Sequence, residues 1–183
     1  MKKQQQQSLF PDEAPTFKKE IPLAEAQAVA EELRKELEQY CLDIVVAGSI
    51  RRRRPVVHDI DMVCLPENLI KFILKLKAMD CSYGGKKLAR FVYKEVPVDL
   101  YFATPQTMAT LVLIRTGSAQ NNIRLCTIAR NNGMKLHADG SGLFRIEAQG
   151  CEGKEVLIAR SSEAALFEAL EIPYQEPEER EVK

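Results

Sequence analysis

The chain has 183 residues, 45% hydrophobic and 28% charged, with nine Gly, nine Pro and no Trp. This is the size of one domain or of two small lobes sharing a core. It excludes a disordered chain, a collagen-like repeat and a small disulfide scaffold. Net charge is zero, but residues 1–42 carry 6 Lys/Arg against 8 Asp/Glu, residues 43–145 carry 16 against 8, and residues 146–183 carry 4 against 10. A basic middle between acidic ends suggests a local anion-binding face.

The uninterrupted apolar runs are far shorter than the roughly 20 residues of a membrane span, and the Gln-rich start lacks a signal-peptide core. Five widely spaced cysteines, with no Cys-x-x-Cys pair, read as reduced thiols rather than a zinc cage or a bridge framework. A soluble, cytoplasmic protein with no membrane partner is expected.

Residues 1–17 form a polar, Pro-punctuated tail. From Pro22, the series Leu23, Ala26, Val29, Ala30, Leu33, Leu37 and Tyr40 recurs at helical spacing. Residues 44–47 form a short strand ended by a tight turn at Gly48-Ser49, and residues 60–65 a second strand stopped by Pro66. Leu69, Phe72, Ile73, Leu76 and Met79 mark an amphipathic helix, and residues 88–94 and 96–103 follow as strands. Thr104-Pro105 reads as the start of a helix to about Arg115, and Ser118 as the cap of another ending near Gly133. Residues 134–158 suggest hairpins, and Ser161-Ser162 opens a last short helix. The order predicts an α+β protein: a palm with a mixed sheet and helices on one face over residues 18–104, then a small mixed α/β lobe over 105–183.

The densest chemistry lies in residues 47–63. Alternation along a strand puts Asp59 and Asp61 on one side and Ile60 on the other. Carboxylates about 6–7 Å apart along one edge can share a hard divalent cation. Asp99 is the lone charge in the apolar segment Val96-Pro97-Val98-Asp99-Leu100-Tyr101-Phe102, a costly place unless paired, exposed or metal-bound. An Asp-x-Asp alone is common on solvated strand ends. Upstream, however, Gly48 allows close backbone approach to an anion, the Ser49 hydroxyl can hold phosphate oxygens, and Arg51 to Arg54 add guanidinium forks. Cradle, cations and carboxylates together point to metal-dependent phosphoryl or nucleotidyl transfer.

Gly48-Ser49, Arg51-Arg52, Asp59-x-Asp61 and the later Asp99 resemble the nucleotidyltransferase palm of the family X DNA polymerases. The segment Thr116-Gly117-Ser118-Ala119-Gln120-Asn121-Asn122-Ile123-Arg124-Leu125 is similar to the part of that family facing the incoming nucleotide, and the Lys135 to Phe144 hairpin and the Glu168 to Pro177 ending resemble its C-terminal lobe. The resemblance implies that Asp59 and Asp61 bridge two Mg²⁺ ions, with Mn²⁺ able to substitute, and that Asp99 holds only the catalytic ion. It further implies that Ser49 and Arg52 bind the β- and γ-phosphates and that Asn122 lies against base and sugar. The nucleotide side is completed by Gly48, His58, Ile114, Arg115 and Gly117; for His58, a packing role in the turn is the favoured alternative.

Ile114-Arg115 depart from the family's common Tyr-Phe, so ribonucleotides join deoxynucleotides as candidate substrates; Cys126 stands where many members carry an Arg that reaches the template minor groove, a departure that bears on fidelity and template dependence. Lys86, Lys87, Arg90 and Arg124 are candidate DNA contacts, a solvated sheet edge being the other reading for the first three. Residues 1–21 are too short for the family's lyase domain and DNA anchor, so a minimal form of the family without them is expected. Gln6, Leu9 and Phe10, within Gln6-Gln7-Ser8-Leu9-Phe10, resemble a bacterial sliding-clamp peptide, which favours a bacterial or bacteriophage setting. The reading is a minimal, monomeric DNA-directed DNA polymerase acting on gapped or primer-template DNA in repair or end joining. Its rivals are another palm-superfamily nucleotidyltransferase, acting on a small molecule, RNA or protein, and a catalytically idle DNA- or clamp-binding module.

Overall fold

The computed structural model describes residues 19–79, 87–149 and 152–181. In chain order the elements are β1 (Ile21–Pro22), α1 (Leu23–Glu38), β2 (Cys41–Val46), α2 (Gly48–Arg51), β3 (Val56–Val57), β4 (Ile60–Pro66), α3 (Leu69–Ala78), β5 (Leu88–Tyr93) and β6 (Val96–Phe102). There follow α4 (Met108–Thr116), α5 (Ala119–Asn131), β7 (Met134–His137), β8 (Gly142–Gln149), β9 (Glu152–Ala159) and α6 (Glu163–Ala169), with a 3₁₀ turn at Pro177–Glu179. None of the described helices is long and apolar enough to cross a membrane.

The central sheet is mixed, in the order β2-β4-β6-β5: β4 and β6 run parallel, and β2 and β5 are antiparallel to their neighbours. The strand period of two sorts its residues cleanly. Ile60, Met62 and Cys64 of β4 and Val98, Leu100 and Phe102 of β6 pack with Ala26, Ala30, Leu33 and Leu37 of α1 and Phe72 and Leu76 of α3. Asp61, Val63, Asp99 and Tyr101 therefore belong to the opposite face. There Val63 and Tyr101 meet Leu111 and Val112 of α4, while Leu113 and Ile114 of the same helix enter a second core with α5, α6 and the β7-β8-β9 sheet. Helix α4 is thus common to both cores and brings the C-terminal lobe over the acidic face of the palm.

Most element types match the expectations above, and the differences have local causes. Helix α4 starts at Met108 rather than at Pro105, because the Thr107 hydroxyl accepts the Thr104 N–H at 2.8 Å and closes a separate turn. Gly48-Ser49 opens one helical turn, α2, instead of a simple bend. A two-residue ribbon between β1 and β3, unforeseen from the sequence, ties the chain ahead of α1 to the loop before Asp59. Ser118 and Ser162 cap α5 and α6 as expected, accepting from Asn121 N and Ala165 N.

The two lobes are joined by a buried ionic network. Arg51 donates to the Thr116 hydroxyl (2.7 Å) and, bidentately, to Glu163 (3.0 and 2.6 Å). Arg180, fully buried, donates to the same carboxylate and is flanked by the Phe167 and Tyr174 rings. Burial pushes the Glu163 carboxyl up, but the Arg51 hydrogen bonds and the Arg180 charge outweigh it and hold it below the usual carboxylate range. Removing one partner from such a set leaves a buried charge without compensation. Glu163→Ala is accordingly expected to cost about 3–5 kcal/mol, measurable as a lowered urea midpoint; an unchanged midpoint would contradict this account of the joint.

Candidate active site

At the C-terminal lobe's approach to the palm lies an open cleft of about 530 Å³. Its wall collects Ser49, Arg52, His58, Asp59 and Asp61 from the palm side with Ile114, Arg115, Gly117 and Asn122 from α4 and α5. Nine positions expected from the sequence to serve the nucleotide or metal therefore meet in one place. Also in the wall are Arg54 and Ser118, from the arginine run and the Thr116–Leu125 segment, together with Tyr101 and Glu181, for which the sequence offered no site role.

The carboxylates are placed by the parallel pairing of β4 and β6. Asp61 and Asp99 are register partners, which sets them on adjacent strands about 4.8 Å apart along the pairing direction, and Asp59 precedes Asp61 on the same face. Burial, reinforced by the Asp59 and Asp99 charges, pushes the Asp61 carboxyl up to about 7, against opposing pulls from Arg115 and Arg52. Asp59 is raised as well, by desolvation and then by the Asp99 charge. Asp99 itself accepts from Arg90 Nε (3.0 and 3.3 Å) and from the Tyr101 hydroxyl (3.2 Å).

Three hard oxygen donors that repel one another fit a divalent cation. No group of three or more His, Cys, Asp and Glu side chains is already gathered as a metal cage among the described residues. A carboxylate offers about four acceptor sites, however, so the bonds that Asp99 makes to Arg90 and Tyr101 leave it able to ligate. By chemistry, the residues present fit the expected metal.

Gly48 underlies the pair. Its φ is +59°, and a Cβ there would fall 2.1 Å from Asp61 Oδ2, so the Asp61 carboxylate lies directly against the glycine. The backbone is pinned in the same place by the Ala47 N–H to Asp61 carbonyl bond of 2.8 Å. On the far wall Arg115 stacks over the Tyr101 ring at 4.1 Å, and its Nε is buried without a partner. Asn122 donates through Nδ2 to the Ile114 carbonyl (2.8 Å), while its buried Oδ1 has no partner. Gly117 is needed beside it, since a Cβ there would sit 2.7 Å from Asn122 Oδ1.

Of the positions expected to contact DNA, Arg90 and Arg124 make other contacts, and His58 also touches the segment ahead of α1. Arg90 is engaged by Asp99 across the sheet, rather than standing as a simple edge cation. Arg124 donates to Asn121 (3.1 Å) and to Gln175, inside the C-terminal lobe. Lys87 is exposed at the start of β5, and His58 lies at the cleft with Nδ1 3.3 Å from the Lys19 carbonyl. Lys86 and the tail positions Gln6, Leu9 and Phe10 lie outside the described residues.

The site's frame is a mixed sheet that carries acidic residues on the face overlooked by a second lobe. The structure is similar to Leishmania infantum polymerase beta in a ternary P/T complex, with TM-score 0.71 and 22% identity over 91% of this chain and 78% of that one. It is similar to the same protein in a ternary gap complex at equal TM-score and identity, over 91% of this chain and 72% of the other. Residues 111–181 match the DNA polymerase beta thumb family. No curated protein matches the chain. The chain thus has a fold similar to that of polymerase beta, and its C-terminal residues 111–181 resemble the polymerase beta thumb.

Proposed function

We propose that the protein is a DNA-directed DNA polymerase of the family X type, adding nucleotides to a primer 3′-hydroxyl, with short-gap filling in repair or end joining as its task. The observation that carries this is the single cleft in which the paired carboxylates and the Ser49-Arg52 cradle face thumb residues Ile114, Arg115 and Asn122. The complexes of the similar Leishmania protein, titled ternary P/T and ternary gap, support DNA as partner.

In this reading the primer 3′-oxygen attacks the α-phosphorus of a nucleoside triphosphate in line, and pyrophosphate leaves. Asp59 and Asp61 would hold two divalent cations, Mg²⁺ or Mn²⁺, and Asp99 one of them; bound there, the ions stabilise the attacking and leaving oxygens. Ser49 and Arg52 hold the β- and γ-phosphates, Arg52 through the planar fork that matches phosphate oxygens. Asn122, its Nδ2 fixed on Ile114, offers an acceptor to the nucleotide. Arg115, stacked on Tyr101, borders the sugar with Ile114, in place of an aromatic pair. Lys86, Lys87 and Arg124 are DNA-backbone contacts in this reading, and the tail residues Gln6, Leu9 and Phe10 tether the enzyme to a sliding clamp.

The test is extension of a primer across a one-nucleotide gap with a 5′-phosphate, in Mg²⁺ or Mn²⁺, with dNTPs and rNTPs compared. Asp99→Ala is expected to lower extension at least about 10²–10³-fold, the size of effect seen when one group stabilising a transition state is removed, while DNA binding is retained. Absence of addition by the wild-type protein in both metals would remove the polymerase reading in favour of a transferase with another acceptor.

A further inference from the structure

Arg52, the cation assigned to the triphosphate, already holds an anion of the chain itself. Its Nε donates to Glu181 Oε1 at 2.5 Å, and its NH1 donates to the Thr116 carbonyl at 2.6 Å. Arg54 Nε lies 4.0 Å from the same Glu181 oxygen. Glu181 and both arginines line the cleft with Ser49. The Arg52–Glu181 pair is shielded, with side chains 13% and 27% exposed, whereas the neighbouring Arg53–Glu178 pair is open, at 73% and 39%.

We propose that Glu181 is a built-in phosphate surrogate, and that a polyphosphate ligand enters this cleft by displacing it from Arg52. The inference rests on the nucleotide reading of the cleft and deepens it by naming a residue that sets polyphosphate affinity. A carboxylate oxygen and a phosphate oxygen compete for the same guanidinium donor. The Thr116 carbonyl belongs to the last turn of α4, so the Glu181 carboxylate is the partner that can give way. Competition for a cation grows with the charge of the incoming anion. Glu181 therefore discriminates against ligands with a single phosphate and for those with three. Until such a ligand arrives, it keeps Arg52 neutralised and its side chain aimed into the cleft. Glu181 acts through Arg52 and is a positioning residue, not a catalytic one.

The experiment compares the wild-type chain with Glu181→Gln, Glu181→Ala and Glu181→Asp. Inorganic tripolyphosphate and orthophosphate are titrated calorimetrically without DNA, thermal unfolding checks the fold, and dNTP KM and kcat are taken from gap extension. Glu181→Gln and Glu181→Ala are expected to bind tripolyphosphate about 10-fold more tightly, equivalent to 1.4 kcal/mol. The gain for orthophosphate is at least as large, because the discrimination that Glu181 imposes is lost with it, Glu181→Asp stays near wild type, and the change in extension falls on KM rather than kcat. Unchanged or weaker tripolyphosphate binding by the folded Gln and Ala variants overturns the proposal. Extension by the wild type together with that result removes the surrogate and keeps the polymerase. Tighter tripolyphosphate binding with extension by none of the proteins keeps the surrogate and removes the polymerase.

Discussion

Replacing Asp61 by Asn is expected to stabilise the metal-free protein at pH 8 while abolishing nucleotide addition. In the folded chain burial, and then the charges of Asp59 and Asp99, raise the Asp61 carboxyl from 3.8 to about 7. The folded state thus binds this proton more tightly than the unfolded state does. Stability is greatest below the unfolded value, falls as pH climbs from about 4 to about 7, and levels off above. A rise of that size is worth about 4 kcal/mol for a fully dry group. Solvent at the half-buried Asp61 reduces it to roughly 2 kcal/mol. For a chain of this length that is a gain of about 4–8 °C in Tm at pH 8, with little change at pH 4. Part of the slope survives in the variant, because Asp59 is raised for the same reason. Calorimetric melting of both proteins from pH 4 to pH 8 measures the effect; equal Tm values at pH 8 would contradict the repulsion described for the site. Mg²⁺ is expected to raise the Tm of the wild type more at pH 8 than at pH 5, and to lose most of that effect in Asp61→Asn.

Gly48→Ala is expected to be the most damaging change that leaves every charged group in place. Two penalties coincide there. An alanine at φ +59° sits in the left-handed region, at a cost of about 1–2 kcal/mol. Its Cβ would also stand 2.1 Å from Asp61 Oδ2 and 2.9 Å from Asp61 Cβ, so the carboxylate must move. Displacing a reacting group by about 1 Å is enough for a 10²-fold loss of rate. Gly133 separates the two penalties. It has φ +67° but open space around its Cα, so Gly133→Ala carries the strain without the clash. Denaturant midpoints of the two variants should fall by comparable amounts or more for Gly48→Ala, while gap extension collapses in Gly48→Ala alone. Retained extension in Gly48→Ala would mean that the Asp61 position is not critical.

Much of this was legible in the sequence, because the informative signals are local. Strand alternation places Asp59 and Asp61 on one side of β4 and Ile60 on the other. The core-facing set of α1 follows from its helical spacing, and Ser118 and Ser162 announce the starts of α5 and α6. The start of α4 lies at Met108 because Thr107, not Thr104, sets it, through a hydroxyl contact that composition does not disclose. The ribbon of β1 and β3 is too short to leave a pattern. What escaped most was the fate of the four arginines at positions 51–54. A run of like charge reads as a free anion-binding patch, yet Arg51, Arg52 and Arg53 each hold an acidic residue more than a hundred positions away: Glu163, Glu181 and Glu178. The acidic C-terminal segment was visible as a charge imbalance, but its role as a counter-surface exists only once the chain has folded back.

The two bonds at Thr116 also carry a mechanical meaning. Arg51 grips its hydroxyl and Arg52 its carbonyl, from adjacent positions on the palm, and Gly117 follows with an extended backbone at the helix end. Translating the C-terminal lobe away from the palm would break both bonds at once. Thr116 is thereby a riveted point of the molecule: with the Arg51–Glu163 pair beside it, the end of α4 is fixed to the palm by side chain and backbone together, so a change at residue 116 is felt on both sides of the cleft.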